Sequence, residues 1–408
     1  MLCELSQNIC AKCHRTTGNT QFAASRAKTG NCEYGRSGVD LCMKKRWLKW
    51  LRLTTLLAGA ALLLSACGRA DLSALNPQGA VAKEQLDLMK ISISIMTLVV
   101  VVVFLIAIYV LFRFRRRPGN DGIPVQVEGN HKLEIVWTVI PLILLVILGV
   151  PTVQTVFAQA QDHSKDENAV IVKVTAHQYW WEFEYPEEGI VTAQELVVPV
   201  DSRIVIEAKT ADVLHSFWIP ALAGKIDTNP AGNVNRMFFD TPDKTGIFLG
   251  KCAELCGPSH ALMDFKVKVV DDESYANWLA AMKAPAVLPE DPAIADAFQK
   301  KCLSCHAVGE LGGPVYPNLT GIGDRETVAG ILVNTDNPQY RNEGSVYENI
   351  YRWLEDPQKI KPGNAMPKVE LTQEELEGIS RYLADYKLNY ESEELKNNDA
   401  TSDKEERQ

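Results

Sequence analysis

Two uninterrupted apolar runs, Ile91 to Phe112 and Ile135 to Val156, constrain this 408-residue chain more than any other feature. A helix needs about 20 apolar residues to cross the hydrocarbon of a bilayer, and each run is long enough. A core helix of a soluble domain is shorter and apolar on one face, whereas these runs are apolar all round. The chain is therefore expected to enter the membrane as a helical hairpin. Arg113, Arg115, Arg116 and Arg117 follow the first run directly, and excess arginine marks the cytoplasmic side. Both ends of the hairpin, and everything after Val156, are then expected outside the cytoplasm.

A third, shorter apolar block agrees with that orientation. Met43-Lys44-Lys45-Arg46 opens a basic stretch, Leu56 to Leu64 is apolar, and Leu64-Ser65-Ala66-Cys67 closes it. This is the layout of a secretory signal over 43–66, and its end matches the bacterial lipoprotein box, which makes Cys67 a lipidated N-terminus. The alternative is a slightly short membrane helix with a chance cysteine. A signal belongs at a terminus, so residues 1–42 read as a mis-called extension with Met43 as the true start. Cys10-Ala11-Lys12-Cys13-His14 spells a haem-attachment pattern, but upstream of the signal it would stay in the cytoplasm and reads as a decoy. Of the ten cysteines, Cys67, Cys252, Cys256, Cys302 and Cys305 remain after that extension. Each falls in a motif that uses its sulfur, so none is left for a structural disulfide.

Downstream, 67–167 forms the anchor. The segment 168–275 carries short β-branched runs, Val170–Val174, Glu195–Val200, Arg203–Glu207 and Phe265–Val269, which suggest a sandwich or barrel. An Ala- and Pro-rich stretch, 276–291, reads as a linker, and 292–390 reads as helical. There Thr372-Gln373-Glu374-Glu375 is a capping box before Leu376, Ile379 and Leu383. The acidic tail 391–408 is expected to be disordered. A net charge of -9 and the lack of a basic stretch with interleaved aromatics exclude a nucleic-acid partner.

The segment Cys252 to Met263 places Cys252, Cys256, His260 and Met263 within twelve residues beside a strand, and His215 stands at another strand end. Thiolates, a thioether and imidazoles in a β-sandwich select copper. One cysteine suffices for a single blue-copper site; a second, four positions on, lets both sulfurs bridge two copper ions, each capped by a histidine. A disulfide or a zinc site is the alternative, but the first leaves His215, His260 and Met263 without a role, and zinc rarely takes methionine. Further on, Cys302-Leu303-Ser304-Cys305-His306 is a haem c signature: two thioethers and one axial imidazole. The prolines of Gly313-Pro314 and Pro317-Asn318-Leu319 and the Met366-Pro367 pair follow it, as in cytochromes c, with Met366 as the second axial ligand. A haem module tethered to a copper domain acts at an effective concentration set by its linker, commonly millimolar.

From about residue 80 to 275 the chain resembles subunit II of haem-copper cytochrome c oxidases, of the kind with a fused C-terminal cytochrome c domain. The resemblance implies a multidomain membrane protein: a two-helix transmembrane hairpin, an all-β cupredoxin-like sandwich and an all-α cytochrome c domain. It implies CuA ligands His215, Cys252, Cys256, His260 and Met263, with the Glu254 carbonyl on copper and its carboxylate on a magnesium shared with subunit I. Glu134, in His131-Lys132-Leu133-Glu134-Ile135, corresponds to a residue at the mouth of a proton channel, although it also suits the first turn of any helix. His177-Gln178-Tyr179-Trp180-Trp181 resembles the aromatic run that receives electrons from soluble cytochrome c, with Tyr179 where many members have tryptophan. The implied function is passage of electrons from haem c to CuA and on to subunit I, where dioxygen is reduced and protons are pumped. Implied partners are subunit I, further oxidase subunits and cytochrome c or another small donor, at a bacterial cell membrane with the copper and haem domains outside. Rival readings are a CuA-bearing nitric oxide reductase subunit, a quinol oxidase subunit, which lacks the two cysteines, and a copper-delivery lipoprotein, which needs neither haem nor hairpin.

Overall fold

The computed structural model describes residues 54–55, 59, 70–115, 122–123, 125–230, 232–334 and 344–393. Cys67, Cys10, Cys13, His14, Arg116, Arg117 and the tail beyond Glu393 lie outside them, as do all but three residues of 43–66.

Helices α1 (Ala80–Arg113) and α2 (His131–Gln159) are the expected hairpin, each longer than its apolar run. Asn130 starts α2 by accepting the amides of Lys132 and Leu133, which satisfies two of the helix's orphan donors. No residue of α2 is buried, and α1 buries only Val81 and Ala82. Two helices that pack so little of an apolar surface inward have lipid or a partner as their solvent. At their outer ends Gln159 bonds Gln85 and Glu84, and Gln78 and Gly79 donate to the Ala221 carbonyl of the next domain.

That domain is a sandwich of two five-stranded sheets. Numbered in chain order, the strands are β1 (Ala169–His177), β2 (Trp180–Tyr185), β3 (Ile190–Ala193), β4 (Glu195–Pro199), β5 (Arg203–Thr210), β6 (His215–Trp218), β7 (Lys225–Thr228), β8 (Asn235–Asp240), β9 (Gly246–Cys252) and β10 (Asp264–Val270). One sheet runs β3-β2-β1-β5-β8 and the other β4-β10-β9-β6-β7, with β1/β5 and β4/β10 parallel. Alternating side chains meet between the sheets, where Trp181, Phe183, Phe217 and Phe265 form one aromatic wall. Phe217 stacks on Phe265 at 4.7 Å, and Trp181 meets both at 5.4 Å. Phe265 pairs with Gly250 across β9 and β10. A Cβ at Gly250 would lie 2.1 Å from the Phe265 ring, so only glycine admits the ring there.

The stretch expected as linker begins as helix: α3 (Asp272–Met282) packs Trp278 and Met282 into the sandwich core, and only 283–291 lacks regular structure. The cause is local. Asp271 caps the helix, Asp272 and Glu273 fill its first turn, and Tyr275, Trp278, Leu279 and Met282 recur at helical spacing.

The C-terminal module comprises α4 (Pro292–Lys301), α5 (Val346–Glu355), α6 (Pro357–Ile360) and α7 (Gln373–Asp385), with two short two-stranded ladders between α4 and α5. Capping boxes start α5 at Ser345 and α7 at Thr372, the second as the sequence predicts. After α7 the chain returns to the sandwich. Tyr390 enters the sandwich core, and Ser392 bonds Asp271 and Ser274 at the start of α3. Between the modules, buried Glu195 accepts the Glu326 amide at 2.9 Å, and buried Lys268 lies 2.6 Å from Glu391 and 3.3 Å from Glu326.

Burial pushes the Glu195 carboxyl up to about 7, above its usual value of 4.5. The folded state therefore holds a proton that the unfolded state releases, and the stability from this group is lost as pH rises from 4.5 through about 7. Thermal unfolding of the detergent-solubilised chain is expected to show a melting temperature that falls across this window. In Glu195→Gln the slope should flatten, and an unchanged slope would assign it to other groups.

Candidate metal centre

The segment 252–263 is the connection between β9 and β10, and its base is closed by the Cys252 amide donating to the Met263 carbonyl at 3.2 Å. Strand β6 lies on the other side of β9, with Phe217 opposite Cys252 and the Ala253 amide on the Ser216 carbonyl at 2.9 Å. This pairing carries His215, fully buried, to the thiols, 37 residues away in sequence. Three strand ends thus deliver the ligands.

Cys252 and Cys256 place their sulfurs 3.9 Å apart, and both thiols are free. A disulfide needs about 2.05 Å, so the pair is open to a metal. His215 Nδ1 lies 3.9 Å from the Cys252 sulfur, and His260 Nδ1 lies 3.7 Å from the Cys256 sulfur. The Met263 sulfur is 3.8 Å from Cys256, and the Glu254 carbonyl oxygen is 3.2 Å from Cys252. Two thiols, two imidazoles, a thioether and a carbonyl therefore converge, one imidazole on each thiol. Their charges agree with a cation. The hydrogen bond from Cys256 and the nearby His215 hold Cys252 as a thiolate, and that negative neighbour drives the Cys256 thiol up. Both can ionise together only with positive charge between them.

The surrounding shell was not legible in the sequence. Asp212 accepts from His215 Nε2 at 2.8 Å and from the Gln178 amide at 2.7 Å. Gln178 Nε2 donates to the Cys256 carbonyl at 2.5 Å, and Trp181 Nε1 donates to the Met263 carbonyl at 3.3 Å. At Gly257, φ is +134° and a Cβ would meet the Tyr179 hydroxyl at 2.4 Å, so the loop turns against that ring only as glycine. His177 stacks on Trp180 at 4.0 Å, and burial pulls its pKa down to about 4, which keeps it neutral.

A second constellation lines a partly open cleft. Cys302 caps the C-terminus of helix α4, and Cys302, Cys305 and His306 line the cleft. Met366 lines it too, as do Phe298, Ile350, Leu354 and Leu383. His306 Nδ1 contacts the Pro317 carbonyl at 2.8 Å, which leaves Nε2 for a ligand bond. Trp353 Nε1 lies 3.1 Å from the Met366 sulfur, and the Met366 amide donates to Asn364 at 2.8 Å. Burial raises the Cys302 thiol to about 12 and lowers the pKa of His306, so that the imidazole is neutral and free to coordinate. A largely apolar cleft lined by two thiols, an imidazole and a thioether fits a haem.

Tyr179 and Trp180 line this same cleft, together with Gln178. They are 3% and 8% exposed, and the Tyr179 carbonyl accepts from Lys361 of the C-terminal module. Glu254 is half-buried beside Leu255, which is 77% exposed. Glu134 is in the first turn of α2, 3.4 Å from His131, far in the sequence from either constellation.

Comparison with known proteins accounts for all three parts of the chain. The family described as cytochrome c oxidase subunit II, transmembrane domain, matches residues 74–155, and its periplasmic domain matches 188–270. The cytochrome c family matches 293–387. Cytochrome c oxidase subunit 2 of Bacillus sp. (strain PS3) is 48% identical over 370 residues, 85% of this chain and 100% of that protein. The corresponding subunit of Alkalihalophilus pseudofirmus is 44% identical over 336 residues, 80% of this chain and 94% of its own. The solved periplasmic domain of subunit II of cytochrome oxidase of Bradyrhizobium japonicum is 34% identical, covers 28% of this chain and 93% of its own, and has a TM-score of 0.27. Membrane hairpin, β-sandwich and helical module of this chain are thus each matched in turn: it belongs to the cytochrome c oxidase subunit 2 family and carries a C-terminal cytochrome c domain.

Proposed function

We propose that this chain takes electrons in at its cytochrome c domain, passes them to a two-copper CuA centre in the 252–263 loop, and delivers them to subunit I of the oxidase, where dioxygen is reduced to water and protons are pumped. The observation that carries this reading is a thiol-rich loop beside an apolar cleft that bears two further thiols, with Tyr179 lining that cleft and packing on Gly257 of the loop. In it, His215, Cys252, Cys256, His260, Met263 and the Glu254 carbonyl hold the copper pair, and the Glu254 carboxylate is available to a magnesium shared with subunit I. Cys302 and Cys305 bind the haem covalently, with His306 and Met366 as axial ligands. Bound there, the two groups supply reversible one-electron chemistry.

The protein's part is to hold ligands still and keep water out. Asp212 orients His215 so that Nδ1 faces the Cys252 sulfur, while Gln178 and Trp181 brace the carbonyls of Cys256 and Met263. Cys252, Cys256 and Met263 are all buried. Pro317 and Trp353 do the same for His306 and Met366. A frame so braced changes little between oxidation states, which suits fast transfer.

The remaining assignments follow the same reading. The copper domain runs from 168 through α3, the haem domain follows from 292, and both stand on the extracytoplasmic side of a bacterial cell membrane. Lipid on Cys67 adds an anchor to the two helices, and Glu134 stands at the mouth of a proton channel into subunit I. A small electron-carrier protein such as cytochrome c is the donor.

In the assembled oxidase, Cys252→Ser or Cys256→Ser should abolish the near-infrared copper band and cut electron delivery to subunit I by roughly a hundredfold or more. Undiminished delivery by either variant sinks the assignment. Asp212→Asn keeps the shape but loses the carboxylate on His215. Its copper affinity, measured by chelator competition, should fall by about 10- to 100-fold.

A further inference from the structure

The loop 361–366, which leads to Met366, is tied to both modules. On its own side Asn364 Nδ2 donates to the Lys361 carbonyl at 2.6 Å, and Gln358 Nε2 donates to the carbonyls of Asn364 and Met366 at 2.8 and 2.9 Å. At its start stands Lys361, only 2% exposed. A lysine amine removed from water needs acceptors, and Lys361 has them on both sides of the seam. Its Nζ donates to the Tyr179 carbonyl at 2.7 Å in the copper domain and to the Ala329 carbonyl at 2.8 Å in the haem domain. Next to it, Ser259 of the copper loop donates to the Pro362 carbonyl at 2.7 Å. No ordinary surface lysine is placed this way: among the described residues its hydrogen bonds go to main-chain oxygens of two different modules.

We propose that Lys361 is a positioning residue: it seats the haem-binding module on the copper loop and thereby closes the Tyr179–Trp180 face to any separate donor protein. This rests on the functional reading above. The seat sets the distance between the two sites through backbone, because Lys361 grips the Tyr179 main chain while its own loop carries Met366. Tyr179 in turn packs on Gly257 between the two copper-loop thiols and His260. The return segment holds the far edge of the seam, with Tyr390 in the sandwich core and Ser392 on Asp271. The haem module is then a fixed part of the relay, not a donor moving on a tether, and an outside electron carrier has only the outer face of that module to dock on.

Hydroxyl-radical labelling of the assembled, metal-loaded oxidase, read by mass spectrometry, tests this. In the wild type Tyr179 and Trp180 should resist labelling. Lys361→Met removes two hydrogen bonds at similar size; losing even one raises the open fraction roughly fivefold, and labelling at both aromatics should rise with it. Lys361→Arg, which keeps the charge and the reach, should restore protection, a rescue that a merely space-filling residue would not show. Ready labelling in the wild type, or labelling in Lys361→Met equal to the wild type, overturns the proposal. Should Lys361→Met fail to hold its metals, Lys361→Gln stands in under the same criterion. Metal counting separates the two claims: two coppers and one haem per chain with no response to Lys361→Met overturns the seat alone, whereas a wild-type complex lacking either group overturns the reading of the sites.

Discussion

The contact of Phe265 with Gly250 is the constraint on which the metal loop depends. It brings β9 and β10 into register at the point where one strand ends at Cys252 and the other begins after Met263. Neighbouring strands are about 4.8 Å apart, and that spacing, more than anything in the loop, sets how far apart the ligands start. Trp181 then does two things at once: its ring belongs to the aromatic wall, and its indole nitrogen holds the Met263 carbonyl. The hydrophobic core and the ligand frame are therefore one object. A site built on the ends of packed strands has little room to relax, which is what reversible electron transfer asks of it.

The seam between the two extramembrane modules is unusual in being both buried and charged. Glu195, Lys268 and Lys361 are all within it or at its edge, and each is nearly inaccessible to water. Taking such groups out of water costs several kcal/mol apiece unless partners replace the lost hydration. Here the partners are main-chain amides and carbonyls of the opposite module, or carboxylates on the returning C-terminal segment. Such a joint gains little in raw stability over an apolar one. Its advantage is orientation, since a lysine that must find two named carbonyls accepts one docking geometry where a greasy surface accepts several.

How much of this was legible in the sequence depended on the range of the interaction. Cys252, Cys256, His260 and Met263 are four candidate ligands within one loop, and Cys302, Cys305 and His306 sit within one turn, so their chemistry was visible as spacing. Helix α3 carried equally local signals in Asp271 and the Trp278–Met282 spacing, yet the Ala- and Pro-rich composition around it masked them. Asp212, Gln178 and Lys361 had no such signal. A lysine in a Pro-Gly loop reads as solvated, and nothing near it in the chain says that its acceptors are 182 and 32 positions away.

The membrane hairpin, the two sulfur motifs and the order of the modules follow from the amino-acid sequence alone, because length, hydropathy and short-range spacing are properties of contiguous residues. Only the tertiary structure decided that His215 meets Cys252, that Tyr179 and Trp180 line the cleft of the C-terminal module, and that a buried lysine spans the seam. Those arrangements come from strand pairing and docking between distant segments, where a hydrogen bond is chosen by what burial leaves unsatisfied and not by what stands next in the chain.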